Sequence, residues 1–290
     1  MQATKVKPVA RTGNPKQIIT KCLCYVFLVT LFLICFVPVY MLLVNATRSN
    51  AEINRTFSLI PGGYLLHNWQ IIQNSGINML LGFRNSVIIA FSTTFLSIYF
   101  SLMTAYGINV YNFRFKRQFY ALILIMVLVP GQLYLIGFFQ YVSALGLINT
   151  FWPLIIPAIA APGTVFFMKQ YLDAALVPEL IQAARIDGAN EFSIFNKIAL
   201  PLAAPGAFTF AIFTFVGSWN AFMAPLFILG ARQDLHTLPL LMNRVQAGGQ
   251  IPDQGAIYFG MAATLIPIII IYAIFSKYIV SGVSLGSVKE

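Results

Sequence analysis

Charge is what this sequence has least of. Among 290 residues, 18 are Lys or Arg and 8 are Asp or Glu, so 9% are charged, where a soluble domain carries about 25%. A water-facing surface for a chain of this length cannot be built from so few charges. Histidine is rarer still: the 2 present are His67 and His236, and with no acids clustered beside them no general base or metal site for a membrane enzyme emerges. The 3 cysteines, Cys22, Cys24 and Cys35, share one apolar run. Thiols there behave as small hydrophobes, the Cys-x-Cys pair has no His or carboxylate nearby to complete a metal site, and no redox compartment follows from them. The motif G-x-x-x-x-G-K-[ST] is absent, so the chain has no nucleotide-binding loop. No stretch resembles a cleavable leader, because the first apolar run is too long and lacks a small-residue cleavage site; it is expected to stay as a membrane anchor.

What the chain does have is apolar length. Hydrophobic residues make up 59%, mean hydropathy is +0.79, and the bilayer is the solvent such a chain requires. A spanning helix needs about 20 mostly apolar residues, and six stretches qualify: 22–44, 85–108, 119–142, 150–171, 206–229 and 257–276. The expected fold is therefore all-α, a polytopic membrane protein with six transmembrane helices over 22–280 between tails 1–21 and 281–290. An even span number puts both termini on one side. That side holds Lys5, Lys7, Arg11, Lys16 and Lys21, then Arg114, Lys116 and Arg117, then Lys169, Arg185 and Lys197, and finally Lys277 and Lys289. The opposite side holds Arg48, Arg55, Arg84, Arg232 and Arg244. Positive charge marks the cytoplasmic face, so both termini are expected there. The pI of 9.6 then reflects attraction to anionic lipid and calls for no nucleic acid.

The carboxylates Glu52, Asp173, Glu179, Asp187, Glu191, Asp234, Asp253 and Glu290 all lie outside the six stretches. An ion-coupled secondary carrier, the rival reading, normally binds its coupling ion on an intramembrane acid. If this chain moves a solute uphill, another chain supplies the energy. Prolines at Pro130-Gly131, Pro157, Pro162-Gly163, Pro225 and Pro267 fall within the apolar stretches. Each removes a backbone hydrogen bond that a neighbour or a wet cavity must replace, which predicts bending helices around a cavity. Gln132, Tyr134, Gln140, Trp219 and Asn220 stand beside these breaks. Amides and aromatic rings suit a sugar-like ligand through hydrogen bonds and stacking, so Gln132, Tyr134, Trp219 and Asn220 are candidates for a substrate path; hydrogen bonds between packed helices are the competing use.

The segment 173–201 is the least membrane-like interior stretch and reads as two short helices. Pro178 suits a first helical position, with Leu180, Ile181 and Ala184 forming an apolar face. Asp187-Gly188 supplies the stop. Asn190 caps a second helix whose stripe is Phe192, Phe195, Ile198 and Ala199, ended by Pro201. DNA binding is excluded, since Lys197 alone gives the second helix no phosphate footprint. The pair is instead expected to form a knob that exposes Ala183-Ala184 and a tight turn to a groove in another protein.

The run Gln182-Ala183-Ala184-Arg185-Ile186-Asp187-Gly188-Ala189, followed by Phe195, Ile198, Leu200-Pro201 and Pro205, resembles the signature loop of bacterial ABC importer permeases, E-A-A-x-x-D-G-A followed by F-x-x-I-x-L-P. Trp219-Asn220-Ala221-Phe222, Pro225-Leu226, Thr237-Leu238-Pro239 and Lys277-Tyr278-Ile279-Val280-Ser281-Gly282 resemble the carbohydrate-uptake branch, of which the six-span maltose-type permease is the familiar example. The resemblance implies a type I importer permease fold with a core of about 81–277 and a coupling loop at 173–201. It implies a bacterial inner-membrane protein that is not catalytic and binds no cofactor, ATP and Mg belonging to a dimer of partner ATPases. A second permease subunit and an external solute-binding protein are the other implied partners. Gln182, Ala183, Ala184, Asp187, Gly188, Ala189 and Phe195 would couple to the ATPase. The external loop 230–256, with Asn243, Gln246, Gly248 and Gly249 at its tip, would meet the binding protein. Gln182 departs from the usual Glu, which turns any ion pair there into a neutral hydrogen bond. A mild excess of external Arg leaves neutral and anionic oligosaccharides, such as uronate oligomers, both open, and the same architecture also serves non-sugar solutes.

Overall fold

A computed structural model describes residues 15–247 and 253–285, with side chains described over 19–246 and 253–276. In chain order the helices are α1 (Pro15–Asn45), α2 (Asn50–Arg55), α3 (Leu65–Asn74), α4 (Met79–Val110), α5 (Lys116–Leu128), α6 (Leu135–Ala144) and α7 (Trp152–Ile155). They continue as α8 (Pro162–Ala175), α9 (Pro178–Ile186), α10 (Glu191–Ile194), α11 (Leu200–Trp219), α12 (Met223–Leu229), α13 (Leu238–Ala247) and α14 (Gln254–Leu285). Among the described residues, five helical runs are long and apolar enough to cross a bilayer, and the pair α5–α6, bent by 91°, makes a sixth when taken as one span.

Helix α4 is the centre. Its buried positions include Gly82, Ser86, Ala90, Ser97, Ser101 and Ala105, a stripe of small residues at intervals of mostly four. Small side chains let helix backbones approach closely, which matters in lipid because close packing, rather than exclusion of water, drives association there. Helix α8 packs on this stripe, with Ser97 and Thr164 hydroxyls 3.2 Å apart across the joint. Helix α11 closes the other flank, and Gly206 on it lies flat against the Tyr171 ring, where any Cβ would collide with the ring carbons. The apolar clusters radiate from α4: Leu102, Met168, Leu172 and Ile194 at one end, and Ile72, Phe215, Trp219 and Leu238 at the other.

The proline positions behave in three ways. Pro130 lies between α5 and the 3-10 turn Gly131–Tyr134, and that break produces the 91° bend. Pro157 sits in a 3-10 turn and Pro162 opens α8, so the fourth span is kinked. Pro267, by contrast, lies inside a continuous α14 and does not interrupt it. Its missing N–H frees a carbonyl one turn back, and the neighbouring carbonyl of Thr264 accepts the Trp219 indole N–H at 3.0 Å. A side chain thus supplies a donor beside the gap.

The fifth span differs from the expected 206–229. It runs as one helical stretch from Glu191 to Trp219, stops at Asn220, and Met223–Leu229 is a separate helix with Pro225 in its first turn. Pro201 therefore does not end the second loop helix. Phe195–Ala199 forms a π-turn in which the Leu200 N–H bonds to the Phe195 carbonyl. That wider turn carries the helix past Pro201, whose lost N–H falls in a stretch already out of α-helical register. Helix α14 extends to Leu285, beyond the expected end of the sixth span.

Candidate coupling knob and its supports

Local rules fold the segment from α9 to α10. Pro178 takes the first turn of α9, where an N–H has no partner to lose. At the other end Ala189 N–H bonds to Ala184 O at 3.0 Å and Gly188 N–H to Arg185 O at 3.1 Å. These two bonds make a Schellman motif, and Gly188 at its C′ position has φ +79°. Asn190 then caps α10, its Oδ1 accepting from Ser193 N–H at 2.8 Å.

The faces of the knob differ from the expected ones. Ile181 and Ala184 of α9 and Ile194, Phe195 and Ala199 of the following helix are buried against α4 and α8, with Ala189 packed partly against them. Ala184 is thus an internal packing residue and is not presented outward with Ala183, because the i, i+3 spacing from Ile181 puts it on the inner face. Leu180 and Phe192, placed in the apolar stripes from sequence, are exposed, as is Val177. The outward surface comprises Gln182, Ala183, Asp187 and Gly188, together with Ile186 at 86% exposure and Phe192 at 67%. Such exposed apolar residues beside polar ones mark interaction surfaces. Ile186 escaped the sequence reading because it fills a variable position of the motif, whereas Phe192 was read into an inward stripe whose spacing the π-turn at Phe195–Ala199 alters.

Phe195 is a clamp. Its ring meets Tyr99 edge-on at 5.6 Å between centroids and Tyr106 at 5.5 Å. Tyr99 also donates to Asn196 Oδ1 at 3.2 Å. A second support went unread in the sequence. Arg185 Nε donates to Glu191 Oε1 at 2.7 Å, while Glu191 Oε2 accepts from Tyr111 OH and from Tyr106 OH at 3.3 Å. The Arg185 guanidinium lies over the Tyr111 ring, 5.8 Å from its centroid. The hydrogen bond to Glu191 holds the Arg185 pKa above its ordinary value, so it stays a cation. Gln182 lines an adjoining cleft of about 370 Å³ with Lys116, Lys169, Asp173 and Arg185. Lys169 is paired with Asp173.

The remaining candidates separate. Gln132, Tyr134 and Asn220 are exposed. Trp219 is 1% exposed, stacked on Phe215 at 5.7 Å and edge-on to Phe83 at 5.8 Å, with its indole N–H committed to Thr264. Within this chain it is a packing residue, with no face open to a ligand. Asn243 and Gln246 lie on the outer side of α13, whose inner side buries Leu238, Leu241, Met242 and Val245. Gly248 and Gly249 lie outside the described residues. Polar side chains lock this region to α4: Asn85 Nδ2 donates to the carbonyls of Asp234 at 2.9 Å and His236 at 3.1 Å, and Leu238 N–H to Ser86 Oγ at 2.8 Å. His236 is buried, and burial, then the Arg244 guanidinium 3.4 Å from its Nδ1, push its pKa below the ordinary histidine value.

Two of the five Arg expected on the external side are held by partners within the chain. Arg48 is 4% exposed and its Nη2 donates to the carbonyls of Glu52 at 2.8 Å and Thr56 at 2.9 Å. Arg232 is paired with Asp234.

A helical bundle with a rigidly based, apolar-tipped knob between two spans is the architecture of a transporter's membrane subunit. Residues 97–285 match the family described as binding-protein-dependent transport system inner membrane component, and the chain belongs to it. It is 36% identical over 87% of its length to the arabinooligosaccharides transport system permease protein AraQ of Halalkalibacterium halodurans, covering 90% of that protein. It is 32% identical over 91% of its length to AraQ of Bacillus subtilis, covering 94% of it. The fold matches a chain of a bacterial ABC transporter involved in the import of the acidic polysaccharide alginate, with a TM-score of 0.78 at 19% identity, over 93% of this chain and 99% of that one.

Proposed function

We propose that this chain is the membrane permease of an ATP-driven importer for oligosaccharides, working with a second permease subunit, a dimer of ABC ATPases and an external solute-binding protein. The relation to two arabinooligosaccharide permeases along most of the chain supports the substrate class. The same relation favours a neutral sugar over an anionic one, since an arabino-oligosaccharide carries no carboxylate. The knob would dock on the ATPases through Ile186, Phe192, Ala183 and the Asp187-Gly188 turn. Lys116, Lys169 and Arg185 gather at the knob end of the bundle, which supports a cytoplasmic knob and cytoplasmic termini. Asn243 and Gln246 then face the binding protein. ATP-driven closure would move the knob as a rigid body, and the bend at Pro130 and the kink at Pro157 to Pro162 would let the spans follow.

The carrying observation is the knob itself: an outward apolar tip at Ile186 and Phe192 on a base buried against α4 and α8. Purification from the native membrane in mild detergent tests the reading. A P-loop ATPase and a second permease are expected to travel with this chain, and recovery of the chain alone, stable and without an ATPase, overturns it. Competition of labelled arabino-oligosaccharide uptake by neutral and by uronate oligomers tests the sugar, with stronger competition by uronates refuting the neutral assignment.

A further inference from the structure

The knob is joined covalently to α8 behind it and, through α10, to α11 ahead of it. Neither join reaches α4, the helix whose small-residue stripe carries both neighbours. Ile181, Ala184 and Phe195 reach it by apolar contact, and one ionisable side chain adds a polar bridge from the turn to its end. Glu191 places Oε1 on Arg185, the last-turn residue of α9, and Oε2 on Tyr106 and Tyr111 at the end of α4. Arginine offers only donors, and the tyrosine hydroxyls are oriented to donate, so the site suits an ionised carboxylate. An amide would lose the ion pair with Arg185, and with its oxygen kept on Arg185 its NH2 would force the tyrosine hydroxyls to turn and accept. Phe195 fixes the base of α10 to α4 by apolar contact, but the turn itself lies beyond that clamp, held by Ile181, Ala184 and the Arg185–Glu191 pair.

We propose that Glu191 is a positioning residue that latches the coupling turn to α4, so that displacement of the knob is delivered to the central helix as well as to α8 and α11. The inference rests on the coupling reading given above. Its signature is a change in the efficiency with which ATP hydrolysis is converted to transport, which loss of folding or insertion does not produce.

The test uses the complete transporter reconstituted in liposomes, measuring solute moved per ATP hydrolysed. Glu191→Gln is expected to lower that ratio about tenfold, ~1.4 kcal/mol of coupling free energy. An unchanged ratio in Glu191→Gln overturns the latch. Should Glu191→Gln fail to assemble, Tyr111→Phe removes one donor from an exposed position and is expected to lower the ratio in the same sense; no change there is equally fatal. Gly188→Val keeps the two readings apart. If it abolishes substrate-stimulated hydrolysis while Glu191→Gln couples normally, the latch alone is refuted. If it leaves stimulated hydrolysis intact, the coupling reading fails and the latch falls with it.

Discussion

Gly188 offers a substitution series in which backbone and partner effects separate. Its φ of +79° lies in the left-handed region, which costs an L-residue about 1–2 kcal/mol and a β-branched one more. A Cβ built at Gly188 has no heavy atom within 4 Å, so within this chain the penalty is conformational and contains no clash. The two Schellman bonds from Gly188 and Ala189 are what the turn stands to lose, each worth about 0.5–1.5 kcal/mol. The expected order of damage to stability is therefore Asn, which tolerates positive φ, then Ala at about 1 kcal/mol, then Val at about 2 kcal/mol or more. Thermal unfolding of the purified chain in detergent reads this order. Substrate-stimulated ATP hydrolysis of the reconstituted complex reads the function. If only the backbone matters, activity follows the stability order and Gly188→Asn is nearly normal. If the ATPase groove closes directly on this glycine, Gly188→Asn is stable yet inactive. Both outcomes keep Gly188 in the coupling turn; stimulated hydrolysis in Gly188→Val equal to that of the parent chain would refute the reasoning.

Three further expectations follow from particular contacts. Gln182→Glu places a carboxylate in a cleft where Lys116, Lys169 and Arg185 outnumber the one acid, Asp173, so transport is expected to persist, and a dead complex would mean that the partner presents an acid there. Trp219→Phe leaves the Thr264 carbonyl without its indole donor and is expected to destabilise the chain by ~1–3 kcal/mol, read as a lowered unfolding midpoint in detergent; an unchanged midpoint contradicts the role given to that bond. Because burial and Arg244 depress the pKa of His236 more than the backbone of Gly230 and Leu229 and the charge of Asp234 raise it, the unfolded chain binds its proton more readily than the folded one. Stability contributed by neutral His236 is then complete above the ordinary histidine pKa and is lost as pH falls through and below it. Melting curves should drop on mild acidification and drop less in His236→Gln, and parallel profiles for the two would sink the assignment.

The sequence was most readable where physical rules act over short distances. The cap at Asn190, the stop at Gly188 and the start at Pro178 each need only a few neighbouring residues, and the apolar lengths alone located the spans to within about two turns, apart from the fifth, which begins about four turns earlier than expected, and the far end of the sixth. It was least readable where tertiary contacts decide. Pro201 looks like a terminator until the π-turn at Phe195–Ala199 is known to precede it. Trp219, next to an amide near a helix end, resembles a ligand platform until Phe83, Phe215 and Thr264 are seen around it. Arg48 looks like a free external charge until Glu52 and Thr56 fold back over it. Glu191 carried no signal at all, since its partners Tyr106 and Tyr111 lie some 80 positions away.

The π-turn also sets an angle. An α-helix advances about 100° per residue, so the extra residue that a π-turn accommodates rotates everything before it relative to everything after. The direction in which Phe192 and Glu191 point is thereby independent of the face that α11 turns to α4. Evolution of this segment by single-residue insertion or deletion is consequently not a matter of length. Removing one residue between Phe195 and Ala199 would leave the membrane span seated and swing the knob about a third of a turn, away from the tyrosines that hold it and from any groove shaped to receive it.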